Sequence, residues 1–416
     1  MARMILRSPS FVSASAAALA TPLATPLVTP LVTSLATSFA AGSVGVLATF
    51  LATFLVSFAS PSFAAPIATG ASTQAAVAPT VAPTAVPSSD GGESVAASSE
   101  DSGPAYGPEL EGFDYPYPVH RFKFMSQGLP LQMAYMDVPG DPAHANGRTA
   151  VLLHGKNFCA ATWGPTIKTL SNAGYRVVAV DQIGFCKSSK PEHYQYSFQQ
   201  LARNTQALLT SVGVTRETVI GHSTGGMLGI RYALMYPKQT EQLVLVDPIG
   251  LEDWKAKGVP SLSIDQWYAN ELKTTAASIR AYEKKTYYVG QWKPAYEPWV
   301  QMLAGMYRGP GKQIVAWNSA ALYDMIYTQP VVYELPLLQP PTLLIVGDKD
   351  TTAIGAQFAP PALRANLGHY HELAQAAERA IPHVTLVEFP DYGHAPQMED
   401  PDAFHKVLLN GLQKMQ

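Results

Sequence analysis

Six short, almost wholly apolar runs lie in the C-terminal part of this 416-residue chain: 149–154 (TAVLLH), 175–181 (YRVVAVD), 218–223 (TVIGHS), 241–247 (EQLVLVD), 342–348 (TLLIVGD) and 384–389 (VTLVEF). Each is too short for a helix and too uniformly apolar for a strand with one wet face, so each reads as a strand covered on both sides. Helix-like stretches separate most of them. The clearest starts at Ser197, with Gln200 three residues on in the spacing of a capping box, and runs to about Ser211. Strands alternating with helices predict the α/β class, with a mostly parallel central sheet and helices on both faces. Ahead of these runs, HRFKFMS and LQMAYMDV alternate with period two around Gln127-Gly128-Leu129-Pro130, which predicts an antiparallel hairpin. A parallel sheet of this kind carries its ligand site at the carboxyl ends of its strands. The residues ending each run are therefore the functional candidates.

The front of the chain is different in kind. No Lys, Arg, Asp or Glu occurs between Arg7 and Asp90, and residues 21–40 repeat a four-residue unit of Thr, Pro or Ser, Leu or Phe, and Ala or Val. Pro22, Pro26 and Pro30 remove helix donors there. The following apolar stretch, about 16 residues and short for a membrane span, ends in Ser62-Phe63-Ala64, a signal-peptidase pattern. Residues 1–64 are expected to be a cleaved export signal that sends the protein to the periplasm or outside, with an uncleaved N-terminal anchor as the alternative. Residues 65–112, rich in Ala, Pro, Ser, Thr and Gly, are expected to be a disordered linker. A net charge of −3 without a basic run argues against nucleic acid as a partner. Two cysteines cannot build a structural zinc site or an iron–sulfur cluster. Neither a ligand cluster nor a dinucleotide glycine fingerprint occurs, so no metal or organic cofactor is expected. The expected partner is a small-molecule substrate, with membrane contact only through an uncleaved signal.

The third run leads into Gly221-His222-Ser223-Thr224-Gly225-Gly226 and then a helical stretch, a G-x-S-x-G sequence in strand–turn–helix context. Such a turn is too tight for side chains at its glycine positions, and it lifts the serine hydroxyl to the start of a helix, where main-chain N–H groups favour negative charge. A serine hydroxyl is a weak nucleophile and needs a base and a group that orients the base. His394, after the last run and behind Gly393, has the best position for the base. His154 and His222 flank strand ends and are expected to orient loops. His120, His144, His193, His369, His371, His383 and His405 read as surface or structural residues. The orienting acid is ranked Asp350, then Asp247, then Asp348, the last expected to sit exposed beside Lys349.

The succession HG at 154–155, DQIGFCKSSKP at 181–191, GHSTGG at 221–226, GDKD at 347–350 and GHAP at 393–396 resembles the α/β-hydrolase superfamily, in its cap-bearing serine esterase-like branch, across residues 119–416. The resemblance implies Ser223 as nucleophile, His394 as base and Asp350 as orienting acid. It also implies an oxyanion hole from the N–H groups of Thr224 and Lys156. The loop after His154-Gly155 reads Lys-Asn-Phe-Cys instead of the usual small or Gly-Pro-rich run, so Asn157 is the alternative second donor. Cys186 stands where the family's D-x-x-G-x-G-x-S has its second glycine. In this fold Cys159 and Cys186 would lie on neighbouring loops, where two small buried thiols are favoured over a disulfide.

Residues 248–335 lack the strand pattern and hold five of the six tryptophans (Trp254, Trp267, Trp292, Trp299 and Trp317) and nine tyrosines, Tyr287 and Tyr288 among them. They are expected to form a helical cap over a core of residues 113–247 and 336–416. Rings on helices mostly pack against one another, yet so many of them favour a small apolar or aromatic substrate. The expected activity is carboxylic ester hydrolysis through an acyl-enzyme. Amide or C–C hydrolysis, perhydrolysis, and a non-catalytic binding protein on the same fold are the alternatives.

Overall fold

The structure, a computed structural model, describes residues 101–416. The expected export signal (1–64) and the first 36 residues of the expected linker (65–100) lie outside the described residues. Eight strands form one sheet: β1 (Val119–Ser126), β2 (Leu129–Val138), β3 (Thr149–Leu153), β4 (Arg176–Val180), β5 (Glu217–His222), β6 (Thr240–Val246), β7 (Thr342–Gly347) and β8 (Val384–Phe389). Their order is β1-β2-β4-β3-β5-β6-β7-β8, antiparallel at β1-β2 and β2-β4 and parallel elsewhere. This is the α/β arrangement that the apolar runs predict.

The helices are α1 (Gly164–Asn172), α2 (Phe198–Ser211), α3 (Thr224–Met235), α4 (Ile264–Glu271), α5 (Ala276–Thr286), α6 (Glu297–Arg308), α7 (Lys312–Thr328), α8 (Pro361–Arg364), α9 (Tyr370–Ala380), α10 (Pro396–Glu399) and α11 (Pro401–Lys414). The strands are apolar throughout because the sheet is covered twice. Val151, Leu153, Val178 and Val180 pack with Phe198 and Leu201 of α2, Met227 of α3 and Ala374 of α9. Their neighbours Ala150, Leu152, Val177 and Ala179 point the other way, to Ile167 and Leu170 of α1 and Phe404 and Leu408 of α11. Each Val or Leu buried in this way stabilises the fold by about 1.5–3 kcal/mol.

Local signals explain several boundaries. Gln127 and Gly128 both have positive φ (51° and 77°), the signature of a two-residue type I′ turn, so Leu129 and Pro130 already belong to β2. Ser197 caps α2 by accepting from Gln200 N at 3.0 Å, but the box is not reciprocal. The Gln200 amide goes to Ser126 Oγ and Asn204 Oδ1 instead. Residues 101–112, assigned by composition to the linker, pack onto the fold: Leu110 is fully buried, and Tyr106 meets Phe113 edge to face and donates its N–H to Gly305 O at 2.9 Å. Two large side chains in a small-residue stretch are enough to anchor it. Among the described residues, no helix is long and apolar enough to cross a membrane.

Between β6 and β7 the chain leaves the sheet to form α4–α7. Trp254 and Trp267 are buried, Trp267 stacks on Tyr323 with centroids 4.6 Å apart, and Tyr288 stacks on Tyr296 at 3.6 Å. Most of these rings are packing.

Candidate active site

β5 delivers Ser223 at the mouth of α3 with φ 57° and ψ −119°, a sparsely populated conformation that costs about 1–3 kcal/mol. The turn closes only because its flanks are glycine. A β-carbon on Gly221 would come within 2.1 Å of Gly225 O, and one on Gly225 within 2.2 Å of Leu153 O. Ser223 N donates to Val246 O at 3.0 Å, and Ser223 O accepts from Gly226 N at 2.9 Å, so the serine backbone is pinned between β6 and the first turn of α3.

Asp350 and His394 come from the loops after β7 and β8. His394 Nδ1 lies 2.6 Å from Asp350 Oδ2, and both side chains are fully buried. The other carboxylate oxygen, Asp350 Oδ1, accepts from Thr352 N (2.8 Å) and Thr352 Oγ1 (2.7 Å), which fixes the plane of the acid. His222 Nε2 donates to His394 O at 2.7 Å, and Tyr287 packs on the His394 ring with centroids 4.7 Å apart. The remaining ring nitrogen, His394 Nε2, is buried and has no hydrogen-bond partner among the described residues. The link to Ser223 Oγ is therefore not closed in this structure, as in many substrate-free sites.

The other two acid candidates are engaged elsewhere. Asp247 directly follows β6 and its Oδ1 accepts from Gly347 N at 2.8 Å. Burial, helped by the neighbouring Asp350 charge, holds its carboxyl well above the usual carboxylate range. Asp348 does not face Lys349 as expected. Its side chain turns to His371, with Oδ2 3.5 Å from Nδ1.

The loop after β3 reaches the elbow directly: a β-carbon on Gly155 would come within 3.0 Å of Ser223 Cβ. No hydrogen bond from the N–H of Lys156, Asn157 or Thr224 occurs among the described residues. His154 orients this loop, as expected of it. Its Nε2 accepts from Gln182 N at 3.2 Å, so Nδ1 carries the proton and donates to Gly155 O at 2.8 Å. Burial lowers its pKa, and burial likewise holds His222 well below the usual imidazole value, keeping both rings neutral.

The side chains of this loop reach the segment that carries α4–α7. Asn157 Nδ2 donates to Tyr287 OH at 3.0 Å. Lys156 Nζ lies 3.6 Å above the Tyr323 ring, donates to Ser319 Oγ at 2.7 Å, and stands 3.9 Å from Glu271 Oε2. Burial lowers the Lys156 pKa against the opposing pull of Glu271. Lys156, Asn157, Glu271 and Ser319 form the polar wall of a cavity of about 150 Å³, whose apolar wall includes Leu303, Met306, Val315 and Leu322.

Two further residues shape the site. Cys159 and Cys186 form a disulfide, not the pair of buried thiols favoured above, because the parallel pairing of β3 with β4 brings their loops together at a Cα separation of 5.9 Å. Cys186 has φ 44°, which explains why the family prefers glycine at this place. Asp181, which directly follows β4, ties the same loops together by accepting from Tyr115 OH (2.6 Å), Ala160 N (2.8 Å) and Lys187 N (3.1 Å). The sequence held signals for residues that went unassigned: Asp181 terminates an apolar run, and Tyr287 sits in an aromatic doublet. Neither signal says which loop the side chain meets.

Comparison with known proteins agrees with this architecture. The sequence profile of the alpha/beta hydrolase fold matches residues 150–401. The crystal structure of a probable hydrolytic enzyme from Pseudomonas aeruginosa PAO1 is 64% identical with a TM-score of 0.74, over 74% of this chain and 99% of that one. Lipase 3 of Moraxella sp. (strain TA144) is 28% identical over 58% of this chain and 71% of its own length. The fold, although not the detail, is also that of a thermophilic esterase from Thermogutta terrifontis, 21% identical with a TM-score of 0.54 over 71% of this chain and 99% of that one. On the eight-stranded sheet, the serine elbow between β5 and α3 and the profile match over most of the described residues, the chain belongs to the α/β-hydrolase fold family.

Proposed function

We propose that this protein is a serine hydrolase acting on carboxylic esters of small apolar or aromatic groups, with Ser223 as nucleophile, His394 as general base and Asp350 as its orienting acid. The observation that carries the reading is the buried 2.6 Å contact between His394 Nδ1 and Asp350 Oδ2, made while His394 Nε2 is left without a partner. With Nδ1–H committed to the carboxylate, the lone pair is on Nε2, the atom that would take the Ser223 proton.

The steps follow from the groups on hand. Ser223 Oγ attacks the ester carbonyl as its proton passes to His394 Nε2. The oxygen of the tetrahedral intermediate is held by the N–H of Thr224 and by that of Lys156 or Asn157, each worth about 3 kcal/mol in such a role. The imidazolium returns the proton to the leaving alcohol, leaving an acyl-serine. Water, deprotonated by the same nitrogen, then releases the acid. Asp350 stabilises the imidazolium without taking the proton. The cavity of about 150 Å³ shares Lys156, Asn157 and Phe158 with the loop after β3 but is not lined by Ser223, His394 or Asp350, so it would take a small group of the substrate beyond the reacting carbonyl.

The test is a panel of nitrophenyl esters, matched anilides and carbamates, assayed with the full chain and with Ser223→Ala. Ester turnover reduced by at least about 10⁴-fold in the variant is expected. Anilides cleaved faster than esters would replace the ester reading by amide hydrolysis. Turnover unchanged in Ser223→Ala would end the serine mechanism.

A further inference from the structure

Behind the catalytic-acid loop, on the β8 side of the sheet, three residues with no part in the hydrolytic reading converge. Asp348 follows β7, Glu388 lies in β8 and His371 is in the first turn of α9. His371 Nδ1 is 2.8 Å from Glu388 Oε1 and 3.5 Å from Asp348 Oδ2, and one ligating atom from each of the three lies within 4.8 Å of the others. We propose that Asp348, His371 and Glu388 form a binding site for a divalent transition-metal ion of the zinc class.

Two observations separate this cluster from an ordinary ion pair. Glu388 is 7% exposed, and among the described residues the one contact of its Oε1 is the 2.8 Å ion pair with His371 Nδ1, which is not aligned as a hydrogen bond. Asp348 Oδ1 is buried without a hydrogen-bond partner among the described residues. A carboxylate oxygen left without a partner, beside one met only by a misaligned imidazole nitrogen, is costly in so confined a place, and a cation shared by both would offset that cost. The spacing also suits the ion. Zinc bonds of about 2.0–2.2 Å in a tetrahedron place the ligand atoms ~3.3–3.6 Å apart; the His371–Asp348 separation of 3.5 Å matches, and the 2.8 Å between His371 and Glu388 would open by about half an ångström on binding.

The donor set selects the class of metal. Two carboxylates and an imidazole suit zinc, cobalt or manganese, whereas calcium and magnesium take oxygen ligands. An outer partner is present as well. His371 Nε2 is 3.0 Å from Gln375 Nε2, the nitrogen of that side-chain amide. With that amide turned to present its oxygen, it accepts Nε2–H and leaves the Nδ1 lone pair for the metal. The His371 side chain is about half exposed, which leaves an entry path and room for water as the fourth ligand. The bound ion would tie β7, β8 and α9 together two residues from Asp350.

The test uses the full chain without a histidine tag, stripped with chelator and titrated by calorimetry with Zn²⁺ alone, Co²⁺ alone and Ca²⁺ alone. Saturable Zn²⁺ binding at a single site is expected, with intense visible d–d bands for Co²⁺ of low coordination number and no heat with Ca²⁺. His371→Ala should weaken Zn²⁺ binding by about 100-fold or more and Gln375→Ala by about 10-fold. Glu388→Gln, read by the same titration and by far-UV circular dichroism, checks the buried ligand in folded protein. Absence of saturable Zn²⁺ binding would overturn the proposal, as would wild-type affinity in His371→Ala, which would put the ion elsewhere.

Discussion

Replacing both Cys159 and Cys186 by alanine should lower the melting temperature by about 5–6 °C. The bridge spans 27 residues of sequence, and removing a cross-link around a loop of that size releases roughly 12 cal/mol/K of denatured-chain entropy, or about 3.5 kcal/mol at 25 °C. For about 300 folded residues, an unfolding entropy near 2.1 cal/mol/K per residue gives ~0.6 kcal/mol per degree, hence the expected shift. The backbone at Cys186 adds an internal control. Its φ of 44° costs a residue with a β-carbon about 1–2 kcal/mol, so Cys159→Ala/Cys186→Gly should melt about 1–3 °C above Cys159→Ala/Cys186→Ala. The assay is differential scanning calorimetry, with thiol titration of the unfolded, unreduced wild type returning no free thiol. A double alanine variant within a degree of the oxidised wild type, or a glycine variant below the alanine one, would refute the reasoning.

Asp350→Asn should lose on the order of 10⁴ in kcat while keeping KM within a few fold, because the wrong imidazole tautomer is then favoured; steady-state kinetics with a nitrophenyl ester checks this. His222→Phe keeps a ring against Phe158 but removes the donor to His394 O, so kcat should fall about 10–100-fold with a smaller change in KM. Glu283 is fully buried, both its carboxylate oxygens lack a hydrogen-bond partner among the described residues, and desolvation pushes its pKa up to about 8. A carboxyl whose folded pKa is raised stabilises the fold below its unfolded value near 4.5, and that contribution is lost as pH rises through about 8. Glu283→Gln should therefore raise the melting temperature more at pH 8.5 than at pH 5, and an equal effect at both would contradict the assignment.

The sheet was legible because strands covered on both faces must be apolar throughout, and few other elements read that way at five to seven residues. The elbow was legible for a related reason: Gly221 and Gly225 sit where any side chain would strike main-chain oxygen. Position along a strand end was enough to rank Asp350 first among the acids, and it is Asp350 that contacts His394. What sequence could not supply was the pairing of side chains between loops. Cys159 and Cys186 were expected as thiols because bridging depends on a Cα separation that spacing does not give. Asp348 was expected beside Lys349, its neighbour in sequence, whereas α9 brings His371 to it across the β7–β8 edge. Composition also hid the packing of residues 101–112, where Tyr106 and Leu110 dock among small residues.

Treatment of the folded full chain with a fluorophosphonate, followed by peptide mass mapping, reads out most directly whether the hydroxyl at the β5–α3 turn is activated by the imidazole from the end of the chain. One adduct on Ser223, formed at least about 100-fold more slowly in His394→Ala, is the expected result. An unmodified Ser223 in folded wild-type protein, or a labelling rate indifferent to His394, would contradict it.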